Sequence, residues 1–100
     1  MGRILIFKKT MKKNLEIFKK KNILYGLKDE NGKIIKEPFA DWIYEDGIFK
    51  MNGKWGIVNL KTGKIIKEPF ADFIHNGHFE VNGKYGILNF KNGKIIKEAV

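Results

Sequence analysis

A chain of 100 residues supports one domain with a single modest core. It contains no Cys and no Ser, which excludes disulfides, thiolate metal sites and the two commonest side-chain nucleophiles; its longest uncharged apolar run, Ile4 to Phe7, is far too short to cross a membrane, so a soluble, cytoplasmic protein is expected. The net charge of +9 sits almost wholly in the first quarter, where residues 1–24 carry eight basic residues against Glu16 alone, while residues 25–100 carry twelve lysines against ten acids.

The first predicted elements belong to this basic N-terminal segment, residues 1–24. Arg3 to Lys8 reads as an extra capping strand. A degenerate hairpin follows: "NLEIFKKKNILYGL" at Asn14 to Leu27 aligns with "DGIFKMNGKWGI" at Asp46 to Ile57 once one residue is inserted, which puts Phe18 where Phe49 stands. The loop Lys19 to Asn22 is then expected to project three lysines in place of a tight turn. Lys12, Lys13, Lys19, Lys20 and Lys21 have two readings. They blunt an end strand against pairing with neighbours, or they form an electropositive patch that docks on an acidic protein surface or a phosphate backbone.

Residues 25–100 form one domain with this segment and repeat a single pattern, in units near 25–54, 55–84 and 85–100. The pairs Tyr25-Gly26, Trp55-Gly56 and Tyr85-Gly86 recur every 30 residues, while the later glycines Gly32, Gly63 and Gly93 slip by one, as loops do. Each unit is rich in β-branched and aromatic residues, is cut by Gly or Asn, and has no helical period. Asn52-Gly53 and Asn82-Gly83 sit between short apolar runs, the signature of two-residue type I′ hairpins. Counting outward from them pairs Met51 with Lys54, Lys50 with Trp55, Phe49 with Gly56 and Ile48 with Ile57. In the next unit Val81 faces Lys84, Glu80 faces Tyr85, Phe79 faces Gly86 and His78 faces Ile87. Each glycine thus lies under a cross-strand phenylalanine. Lys61-Thr62-Gly63 and Lys91-Asn92-Gly93 read as three-residue loops leading into the Lys-Ile-Ile-Lys-Glu strand. The expected fold is all-β, with ten or eleven short strands in antiparallel three-stranded meander repeats that build an open or curved repeat sheet. Closure into a barrel is the alternative.

The stretch "GKWGIVNLKTGKIIKEPFADFI", with its Lys-Trp-Gly triplet, Asn-x-x-x-Gly-Lys turn and Pro-aromatic-x-Asp, resembles the bacterial WG (KWG) β-repeat family over residues 14–100. The chain departs from that pattern in carrying Tyr at 25 and 85, Ile23-Leu24 in place of Gly-Lys, and Glu98-Ala99-Val100 where Pro-Phe would follow. The resemblance implies a β-repeat scaffold with roles in binding or surface display and no common catalytic residues.

Few residues offer chemistry. His75 and His78 flank Asn76-Gly77 without a third ligand nearby in sequence, and read as surface residues. Asp41 and Asp72 each follow Pro-Phe-Ala and read as bend residues whose carboxylates accept backbone N–H bonds. Thr10 and Thr62 are the only hydroxyls besides tyrosine. Enzymatic activity, a cofactor and a metal are not expected.

Two classes of function follow. The first is a protein-binding module that takes an acidic protein surface or a nucleic-acid-binding protein as partner, such as a phage or mobile-element inhibitor of a nucleic-acid-handling enzyme, for example a CRISPR nuclease. The second is direct, non-specific binding of RNA or single-stranded nucleic acid, since aromatics interleaved with lysine on a sheet can stack bases; the single arginine, Arg3, speaks against base-specific readout. The partner-binding candidates are Lys12, Lys13, Lys19, Lys20 and Lys21, together with Lys50, Trp55 and Tyr85, whose rings lie opposite the Phe/Gly contacts and can stay partly wet. A membrane partner is not expected, and the chain is expected to be a monomer or an edge-paired homodimer.

Overall fold

A computed structural model of the chain describes residues 14–20 and 24–100. Among them are eleven strands and no helix: β1 (Glu16–Lys20), β2 (Leu24–Lys28), β3 (Ile34–Ala40), β4 (Trp42–Ile43), β5 (Ile48–Met51), β6 (Lys54–Val58), β7 (Ile65–Ala71), β8 (Phe73–His75), β9 (His78–Val81), β10 (Lys84–Leu88) and β11 (Ile95–Lys97). The predicted capping strand at Arg3 to Lys8 lies outside the described residues. No helix among the described residues is long and apolar enough to cross a membrane.

The strands form three antiparallel sheets, β1-β2-β3, β4-β5-β6-β7 and β8-β9-β10-β11, and none closes into a barrel. The meander is three-stranded only in the first sheet. The other two gain a short fourth strand, β4 or β8, because the long third strand of one sheet runs through a single bend residue, Asp41 or Asp72, into the next.

The Asn-Gly hairpins pair as the turn chemistry dictates. Met51, Lys50, Phe49 and Ile48 face Lys54, Trp55, Gly56 and Ile57; Val81, Glu80, Phe79 and His78 face Lys84, Tyr85, Gly86 and Ile87. Positive φ at Asn52, Gly53, Asn82 and Gly83 supplies the type I′ geometry. In the first unit Phe18 faces Gly26, as the alignment with one insertion requires.

Loop lengths differ from the three residues expected. Asn59 and Lys64 close a loop of four residues, Leu60 to Gly63, and Asn89 and Lys94 close its counterpart; Leu60 is drawn out of the loop and into the core. In the first unit Asp29 and Lys33 close three residues only. The difference is offset elsewhere, because Tyr44 and Ile48 close a three-residue loop whereas His75 and His78 close the two-residue turn Asn76-Gly77. The aromatic-Gly spacing of 30 therefore survives a slip in each loop.

The core consists of two layers between successive sheets. Leu27 and Ala40 of the first sheet meet Ile43, Phe49, Val58 and Leu60 of the second; Ile48, Ile57 and Ala71 of the second meet Ile74, Phe79 and Leu88 of the third. Strand alternation makes this work. Neighbours Phe49 and Ile48 point to opposite faces, as do Val58 and Ile57, so the middle sheet is buried on both sides. The stack is elongated, with principal extents of 55 × 33 × 15 Å.

Gly56 marks the tightest point of the middle sheet. A Cβ built there would lie 2.9 Å from the Phe49 ring and 2.6 Å from the Lys67 carbonyl oxygen, because the ladder between β6 and β7 shifts register at this point, from Ile57–Lys67 to Trp55–Ala71. Ring and backbone close on the glycine from two sides, and the backbone oxygen cannot rotate away. Gly56→Val is expected to cost about 1–3 kcal/mol or more by overpacking, read as a lower denaturation midpoint. Gly53→Ala, with open space around it but φ of 79°, is expected to cost about 1 kcal/mol through backbone strain alone. Equal losses from the two substitutions would contradict the cross-strand packing.

Candidate functional site

The Ala-Asp-aromatic-Ile-aromatic stretches "ADWIY" at 40–44 and "ADFIH" at 71–75 start the fourth strand of the second and third sheets. Alternation sends Ile43 and Ile74 into the core and sends Trp42 and Tyr44, or Phe73 and His75, to the rim. There they meet the aromatic that precedes each strand glycine. The result is a row of rings: Tyr25–Trp42 at 5.2 Å between centroids, Trp42–Tyr44 at 6.1 Å, Tyr44–Trp55 at 5.5 Å, Trp55–Phe73 at 4.8 Å and Phe73–His75 at 6.1 Å. Tyr44 and Trp55 stack, while Tyr25–Trp42 and Trp42–Tyr44 are edge-to-face. Trp42 remains 45% and Phe73 44% exposed, so nearly half of each side chain is left to solvent.

Charges flank the row in a fixed order. Lys19, opposite Tyr25 in the first sheet, holds its ammonium 5.2 Å from the Tyr25 ring centre. Lys50 stands between Trp42 and Trp55 in the second sheet, and Glu80 stands between Phe73 and Tyr85 in the third. The row is thus basic at the end nearest the N-terminal hairpin and acidic at the other.

Three of the sequence candidates, Lys19, Lys50 and Trp55, lie at this row. Lys19 and Lys20 are exposed but lie in β1, not in the loop predicted for them, because the hairpin ladder continues to the Lys20–Leu24 pair. Lys12, Lys13 and Lys21 lie outside the described residues. Tyr85 occupies the position equivalent to Tyr25 and Trp55, yet makes no ring contact among the described residues. Sequence reasoning missed Trp42, Tyr44 and Phe73, although the repeated Ala-Asp-aromatic-Ile signal was present. Lys36 and Lys67 have a structural use, each lying 5.1 Å from the centre of a phenylalanine ring, Phe39 or Phe70, in its own strand.

The aspartates perform the bend role expected of them, over a longer reach. Asp41 accepts the Asn52 N–H at 2.9 Å and Asp72 accepts the Asn82 N–H at 2.9 Å, so each carboxylate braces the Asn-Gly turn of the following hairpin. Asp72 also accepts a 2.6 Å bond from the Lys54 ammonium of the preceding sheet. That bond, then the Asn82 N–H, hold its carboxyl below the ordinary value of 3.8. His75 and His78 are exposed and bond locally, His75 Nε2 to the Asn76 side chain and His78 Nδ1 to the Asn76 carbonyl. No group of three or more potential metal ligands converges among the described residues.

Comparisons of the chain with models of known protein families, with curated proteins and with solved structures find no match.

The Asp72 geometry sets a pH dependence. A carboxyl whose folded pKa is depressed adds stability that is present above the unfolded value and lost as pH falls through the folded one. Asp72 is therefore expected to titrate below 3.8 by NMR of its carboxyl carbon. Thermal melts of Asp72→Asn are expected to fall less steeply than those of the parent as pH drops through that region; parallel curves would show that the Lys54 and Asn82 contacts do not persist in solution.

Proposed function

We propose that the protein is a non-catalytic cytoplasmic binding module of the WG-repeat type, and that it acts by protein–protein contact through the aromatic row and its flanking lysines. The observation that carries this reading is the continuous series from Tyr25 to His75, with Trp42 and Phe73 half in solvent. Trp, Tyr and Phe concentrate at the centres of protein interfaces because they supply large apolar area with few rotors to immobilise.

A protein fits this surface better than a nucleic acid does. The rings largely meet one another at edges or tilts, which leaves few free parallel faces for bases. Glu80 stands among them, and Lys54, near the row, is already paired with Asp72. A phosphate backbone along the row would meet carboxylate at one end. The basic end, at Lys19 and Lys20, favours a partner with acidic groups there, and the net charge of +9 argues for docking on such a surface over mimicry of nucleic acid.

Affinity capture from the source cell, with and without nuclease, tests the reading. A protein retained after nuclease treatment, and lost with Trp42→Ala plus Phe73→Ala, is the expected result. Each truncation is expected to weaken binding by roughly 2 kcal/mol, about thirtyfold, without unfolding the chain. Lys19→Glu with Lys20→Glu is expected to slow association, more so at low salt. Capture that vanishes with nuclease would move the assignment to nucleic acid, and capture indifferent to the two aromatic substitutions would move the site off the row.

A further inference from the structure

Each unit presents the same set of positions to the unit after it, and among the described residues the third unit's set is the most exposed. Leu27 and Ile57, directly after the strand glycine, are fully buried by the following sheet, whereas Ile87 in the same position is 36% exposed. Tyr25 is met by Trp42 of the next sheet and Trp55 by Phe73; their counterpart Tyr85 is 60% exposed. The turn glycine Gly63 rests against Ile35 of the preceding unit, which stays 41% exposed, and Gly93 against Ile66, while Ile96, next in that series, is 67% exposed. The apolar positions that stack one sheet on another inside the molecule are therefore repeated on the outer face of the third sheet, where no other sheet among the described residues packs on them.

We propose that this face is a self-association surface, on which a second copy of the chain docks through the same residues, third sheet against third sheet. Its chemistry continues that of the internal layers, so an apolar β-sheet face is what it is built to receive. Head-to-tail stacking of copies is disfavoured by the first unit. To receive a preceding sheet, the second unit offers Phe49, Val58 and Leu60, and the third offers Phe79, Leu88 and Phe90. The first keeps Phe18, but has Lys28 where Val58 and Leu88 stand, and its loop Glu30-Asn31-Gly32 has no apolar residue to match Leu60 or Phe90. Covering Lys28 without a partner would cost more than the contact returns. Electrostatics favours the same arrangement. Lys19 and Lys20 lie in the first sheet, whereas residues 73–100 hold four lysines against two glutamates, so joining third sheets keeps those first-sheet lysines of the two copies apart. His78, opposite Ile87 where Ile17 and Ile48 occur in the earlier units, makes the face less apolar than the internal ones. A small contact of this kind gives a weak, reversible dimer.

Sedimentation of the full chain over a wide concentration range tests the proposal. Reversible monomer–dimer behaviour that stops at the dimer and persists at high salt is expected. Ile96→Lys is expected to keep the chain monomeric at every concentration with an unchanged melting temperature at high dilution, because that side chain is mostly in solvent already. Ile87→Lys is expected to abolish the dimer as well, at some cost in melting temperature because that side chain is mostly covered, and Trp42→Ala with Phe73→Ala is expected to leave the dimer intact. A chain that stays monomeric at its highest soluble concentration would overturn the proposal. So would growth into larger oligomers, or a dimer that survives Ile96→Lys, since these place the contact head-to-tail, on a sheet edge or on the aromatic row.

Discussion

The fold depends on the closure of a phenylalanine ring and a strand carbonyl on one bare glycine. At Gly56 the ring of Phe49 lies on one side and the Lys67 carbonyl on the other; Gly26 repeats the arrangement with Phe18 and Lys36. Only a residue without a Cβ fits, so the hairpin has a single acceptable register. A slip of one residue would push a side chain into backbone and also turn every apolar side chain to the wrong face. Once Phe49 is committed to the preceding sheet, alternation commits Ile48 and Ile57 to the following one, and Trp55 goes with them. Packing direction, layer order and the position of the aromatic row all descend from that contact.

The two aspartate bends convert this local rule into a stack. With one residue between β3 and β4, and one between β7 and β8, the chain has no slack with which to bring the first sheet round to the last. Strand number alone would permit a barrel; the bends do not. Because Asp41 and Asp72 each brace the turn of the hairpin that follows, the joint between sheets and the register within a sheet are secured by the same carboxylate. Each sheet then depends mainly on its neighbours, as in other repeat architectures.

What could be read from the sequence, and what could not, divides along this line. Asn52-Gly53 and Asn82-Gly83 are local signals with one geometric meaning, and the pairings counted from them are the observed ones. Loop length is encoded less directly. Lys61-Thr62-Gly63 looks like a complete loop until Leu60 is seen to be needed by the core, and that demand comes from the preceding sheet. The aromatic row was hidden for the same reason: Tyr25 and Trp42 meet across the junction between two sheets, and Trp55 and Phe73 meet across the next. A single unit read in isolation shows one aromatic beside a glycine; only the order of stacking turns these residues into a surface. Lys19 was legible as a charge, yet its place above the Tyr25 ring required β1 to continue past Phe18.

One comparison inside the repeat bears on function without appeal to any other protein. Lys19, Lys50 and Glu80 occupy the same cross-strand position, opposite Tyr25, Trp55 and Tyr85. The fold places no demand on this position beyond tolerance of solvent. The Phe/Gly contact lies on the opposite face of the strand, the ladder bonds are backbone bonds, and Lys50 and Glu80 are both accommodated in identical registers. Glycine and phenylalanine stay fixed through all three units, while here the charge runs plus, plus, minus. The side chains that vary are the ones beside the exposed rings, and the ones that do not vary hold the rings in line. A scaffold that repeats its geometry while changing sign along one face has a direction, and a partner bound along it would meet lysine at one end and glutamate at the other. A surface of that kind distinguishes one orientation of its partner from the reverse by charge as well as by shape.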